Sequence, residues 1–176
     1  MAKAELVSCV RLPKPEKATP FADSFVPANR LAAADLWSAY GVEKADTFIV
    51  TDKFGNEYLR TESCELAEHT KKVSSHIRAQ RKQLKKFTNE AQAALDKGDR
   101  DAAMTALRAG FALKLVGYEE SEAAAKLATT VLDAGRKEFE AAGTDAKKLE
   151  VLSKRYAGTS LAADIDAALA KARTQN

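Results

Sequence analysis

The spacing of apolar residues changes period at about Ser63, and this break constrains the fold more than any other feature of the chain. Downstream of it, Leu66, Val73, Ile77, Leu84, Phe87, Ala91 and Leu95 fall on one face of a helix of about thirty residues, about 45 Å long at 1.5 Å per residue. Upstream, apolar residues come in short runs that alternate with polar ones, the mark of strands. A chain with such a break folds as a small α/β segment followed by helices. The 45% hydrophobic fraction is inflated by alanine, and aromatics make only 7%. Small side chains on charged, glycine-poor sequence favour closely packed helices.

Residues 4–12, AELVSCVRL, alternate as a strand with Leu6, Val7, Val10 and Leu12 apolar. The following PKPEKATPFADSFVP holds all four prolines and is irregular. Asn29 caps a helix over NRLAAADLWSAYGV, closed by Gly41, with Leu31, Leu36, Trp37 and Tyr40 inward. ADTFIVTD and NEYLR read as the two strands of a hairpin joined at DKFG. After the long helix, the DKGD turn and the Asp99 cap start a second helix, which runs to Gly117 with Met104, Leu107, Phe111 and Leu115 inward. A third spans Glu119 to Ala142, a fourth follows a Thr144 cap to Tyr156, and a fifth follows Thr159/Ser160 to about Arg173. The expected class is α+β: an α/β segment over 1–62, a connecting helix over 63–97, and an all-α array of antiparallel helical hairpins over 98–176.

The formal charge of +3 is unevenly placed. Residues 1–60 carry eight basic and eight acidic side chains, residues 98–176 twelve of each, so the whole excess lies in 61–97. Lys71, Arg78, Lys82 and Lys85 lie within about 60° on a helical wheel, opposite the apolar stripe, with Lys72, Arg81 and Lys86 flanking. This strip suits an acidic protein, nucleic acid or an anionic membrane surface. No aromatics interleave with the cations to stack bases, so an acidic protein fits best. A solvated helix face accounts for the same pattern. The stripe on the opposite side runs close to heptad spacing, with Gln80 in mid-seam, and either packs on the sheet and later helices or forms a dimer seam.

The block from Leu31 to Arg60, a helix ending YGV and then DTFIVTDKFGNEYLR, resembles the second half of a thioredoxin-like domain. The resemblance covers about thirty residues well and implies a strand, a glycine turn, a returning strand and a covering helix. The CxxC pair that gives such domains a low-pKa thiol is absent. Asp46 stands where the family has its cis-proline, and about 28 residues before the helix leave no room for the redox half. The implied segment is therefore truncated, completed by residues 4–12 or by a strand from a partner. ALDKGDRDAAMTALR and LSKRYAGTSLAADIDAALAKA are similar to tetratricopeptide-type helical hairpins, without a clean repeat. That likeness implies protein binding.

Catalytic motifs fail on inspection: GxSxG, a phosphate loop and HExxH are all missing. His69 and His76, two turns apart on one helix face, lie too far apart to hold one metal, so no metal or cofactor is expected. Glu119 and Glu120 read as dipole partners at a helix N-terminus. Cys9 and Cys64 are the candidate redox thiols, with inert packing as the simpler account of both. With no signal-like or membrane-spanning run in the chain, a cytoplasmic location is expected. These observations point first to a non-enzymatic protein-binding scaffold or assembly subunit. A degenerate thioredoxin-type protein with one reactive cysteine, and a binder of nucleic acid or membrane surface through the basic strip, are the alternatives.

Overall fold

The computed structural model describes residues 25–44, 47–62 and 66–174, and of residues 66–72 and 74 only the backbone. The expected strand over 4–12, Cys9, Cys64 and Asp46 lie outside the described residues. The helix expected from Asn29 is broken in two. Asn29 accepts from the Leu31 N–H at 2.9 Å and caps only a 3₁₀ turn, Arg30–Ala32. Asp35 then restarts the chain as α1, Leu36–Ala39, because its carboxylate accepts from the Trp37 and Ser38 N–H groups. A second N-cap six residues after the first intercepts the helix. Leu31 is left 42% exposed rather than buried in a stripe.

The hairpin is formed by β1, Phe48–Thr51, and β2, Glu57–Thr61, paired antiparallel as a two-stranded sheet among the described residues. The register runs Phe48 to Thr61, Ile49 to Arg60 and Val50 to Leu59, then slips to Thr51 with Glu57, leaving Tyr58 unpaired in a bulge. Tyr40 of the α1 C-cap donates its hydroxyl to the Gly55 carbonyl at 2.8 Å, and Arg60 donates to the carbonyls of Tyr40 and Gly41. The short helix and the hairpin are thus one layer.

The helical part keeps the expected order of five helices, but the second ends at Phe111 and not at Gly117. It comprises α2, Leu66–Asp96; α3, Arg100–Phe111; α4, Glu119–Ala142; α5, Ala146–Tyr156; and α6, Ala162–Thr174. Asp99 caps α3 by accepting from the Ala102 N–H, whereas α5 is capped by Asp145, not Thr144. The class is α+β, a two-stranded sheet with a predominantly helical remainder. No described element is specific to a thioredoxin-like or tetratricopeptide-type domain.

α2 packs against α3, α4 and β2, so the one long helix backs both parts of the chain. The core runs from Leu84 and Ala91 through Met104, Leu107, Leu127 and Val131 to Leu149, Tyr156 and Ile165. Gly135, in the middle of α4, lets the Tyr156 ring approach: a Cβ there would stand 2.5 Å from the ring. Around Tyr156, Arg155 reaches Asp101 at 2.6 Å and Glu138 at 3.0 Å, and Arg100 also pairs with Glu138. These ion pairs tie α3, α4 and α5 at one end.

Candidate functional site

The densest polar constellation is centred on Asp52, in the hairpin turn. One carboxylate oxygen accepts from the backbone N–H groups of Phe54 at 2.8 Å and Asn56 at 3.0 Å, an Asx-type turn that sets the hairpin. The other accepts from Asn56 Nδ2 at 2.8 Å, the Tyr58 hydroxyl at 2.7 Å and the Tyr118 hydroxyl at 2.6 Å. The bulge aims Tyr58 at this carboxylate. Tyr118 arrives from the N-cap of α4, sixty-six residues away.

Asn56 completes the junction. Its buried side-chain amide donates to the Val116 carbonyl at 2.9 Å and accepts from the Val116 N–H at 2.7 Å, pairing as a peptide group would. Beside it, the Phe54 ring meets Tyr118 edge-on and lies over Gly117, whose φ of 81° and lack of Cβ the contact requires. Arg81 of α2 forks onto Glu120 at 3.0 and 2.9 Å and stands 4.7 Å over the Tyr118 ring. Glu120 is therefore an interhelical ion-pair partner, a role beyond that of a dipole partner at the α4 N-terminus.

The electrostatics follow from this geometry. Burial raises the Asp52 carboxyl, but hydrogen bonds from Asn56, Tyr118 and Tyr58 outweigh it and hold the group below the usual carboxylate range. Burial, with the bonds to Asp52, pushes Tyr58 and Tyr118 above the ordinary phenol value. Every group is thus held in its resting state, an ionised acid among neutral phenols. With five donors on one carboxylate, the cluster works as a latch between hairpin and helices, and leaves no oxygen idle to act as a base.

Of the basic strip, Arg78, Lys82 and Lys85 are exposed and carry no ion pair among the described residues; the side chain of Lys71 is not described. Lys86 pairs with Glu90 at 3.7 Å. His76 stands edge-on to the Tyr58 ring at 6.2 Å. Among the described residues no group of three His, Cys, Asp or Glu could hold a metal, and no helix is long and apolar enough to cross a membrane. Sequence reasoning missed the Asp52 cluster, whose only local signal is the Asp-x-x-Gly-Asn turn. Comparison with family models, with curated proteins and with solved structures finds no match.

Proposed function

We propose that the chain is a non-enzymatic binding or assembly module that offers the basic face of α2 to an acidic protein partner. The observation that carries this reading is the contrast along one helix. Arg81, sixty degrees round from Arg78, is consumed by Glu120, while Arg78, Lys82 and Lys85 point outward without an ion pair among the described residues. Three like charges held on a stable helix repel one another unless a partner neutralises them. The latch supports the same reading, since it fixes the hairpin and the α4 N-terminus against α2 and gives the strip a rigid base. The helical hairpins read in the sequence belong with it too.

The test replaces Arg78, Lys82 and Lys85 by Gln together and compares the variant with the wild type in capture from the native source at low and moderate salt. The expected result is an acidic protein retained by the wild type, released as salt rises and absent with the variant. Capture of the same proteins by both chains, or retention of nucleic acid instead, overturns the proposal.

A further inference from the structure

A second feature lies on a different face, between β2 and the loop that follows α3. There a cleft of about 250 Å³ is lined by Arg30, Glu57, Arg60 and Lys114, with Tyr58 and Leu113 among the remaining walls. Its charges do not balance. Both Glu57 oxygens are taken, by Arg60 at 2.9 Å on each and by Arg30 at 3.5 Å, so one carboxylate answers two guanidiniums. Arg60 is otherwise spent on the Tyr40 and Gly41 carbonyls. Arg30 is not. Its side chain is only 13% exposed, and the Glu57 pair and the Tyr40 ring at 5.2 Å are its contacts among the described residues.

Lys114 supplies the third cation and no carboxylate meets it among the described residues. Its backbone is the telling part. Six described glycines take positive φ, and Lys114, at 55°, is the one other described residue that does. It lies two residues beyond Ala112, the α3 C-cap, with its N–H on the Phe111 carbonyl at 2.9 Å and the positive φ that the turn after a helix ordinarily gives to glycine. A lysine there is strained where glycine is not, and strain of this kind collects at ligand sites.

We propose that this cleft binds a small dianionic oxyanion of the phosphomonoester class, with Lys114 and Arg30 as its charged contacts. Two uncompensated positive charges match a dianion, and the cleft has room for a phosphate carrying a small organic group. The site is independent of the α2 strip.

The experiment titrates the full chain with inorganic phosphate and with glycerol phosphate by NMR at constant ionic strength, against chloride. Saturable shifts at Lys114 and Arg30 are expected with both probes, and tighter binding of glycerol phosphate would show that the organic part is also held. Lys114→Gly relieves the strained backbone while deleting the charge. It should raise Tm yet weaken phosphate at least about tenfold, the loss of one charge-assisted hydrogen bond. Arg30→Gln should weaken it similarly without the gain in Tm. No saturable shift in the wild type, or Lys114→Gly binding as tightly as the wild type, overturns the proposal.

Discussion

Replacing Asp52 by Asn changes one atom and should undo the latch. The carboxylate has two kinds of client: backbone N–H groups of Phe54 and Asn56 on one oxygen, and Asn56 Nδ2, Tyr58 and Tyr118 on the other. An amide at this position keeps one oxygen. If it faces the backbone, its NH₂ meets three donors; the two phenols can turn to accept from it, but Asn56 Nδ2 cannot. If it faces the side chains, the turn loses both backbone bonds. Hydrogen bonds to a charged acceptor contribute about 1.5–3 kcal/mol each and neutral ones about 1 kcal/mol. Weakening four and losing a fifth should therefore cost about 3–4 kcal/mol at the low end of these figures. Urea unfolding followed by Trp37, the sole tryptophan, reads this directly, because Trp37 lies in the short helix tied to the hairpin by Tyr40 and Arg60. Far-UV dichroism, dominated by the helices, should shift less than the Trp37 signal. The double variant with Tyr118→Phe should lose less than the sum of the single variants, since both remove one bond. A change within about 0.5 kcal/mol for Asp52→Asn would refute the reasoning, because it would mean that the carboxylate is not what holds the hairpin.

The latch should also be sensitive to pH at both extremes. Asp52 titrates lower folded than unfolded, so the stability it lends is present above the ordinary carboxylate range near pH 4 and is lost as pH falls through its depressed value; Tyr58 and Tyr118 titrate higher folded, so theirs is present below pH about 10 and is lost above it. Trp37 fluorescence across pH 2–12 checks both limbs, and Asp52→Asn should flatten the acid one. Gly135→Ala drives a methyl into the Tyr156 ring and should destabilise the helices by about 1–3 kcal/mol by thermal unfolding, with Tyr156→Leu in the same chain restoring part of the loss.

What was legible in the sequence divides along a physical line. α2 through α6 were readable because their signals are local: the 3.6-residue stripe, the Gly98 turn and the Asp99 cap all act within a few residues. The hairpin was readable for the same reason. α1 was misjudged because two caps compete, and only packing decides that Asp35 starts its own helix. Helix α3 stops at Phe111, six residues short of Gly117, because Lys114 takes the left-handed bend that glycine was expected to supply. The Asp52 cluster was invisible because Asp52 and Tyr118 are joined only by the fold. The basic strip was seen, but its division into Arg81, ion-paired with Glu120, and Arg78, Lys82 and Lys85, which form no ion pair among the described residues, needed Glu120 to be placed.

α2 leans on two different supports along its length. In its first half β2 and the His76–Tyr58 contact back it; further along, Leu84 and Phe87 sit against α3 at Gly110. The same unbroken helix is therefore kinetically two objects. If the hairpin opens, the stretch around His76 loses its backing while the turns at Leu84 and Phe87 keep theirs, so amide protons along this single rod should exchange with solvent on two clocks. Any ligand or partner that clamps the hairpin slows only the faster one.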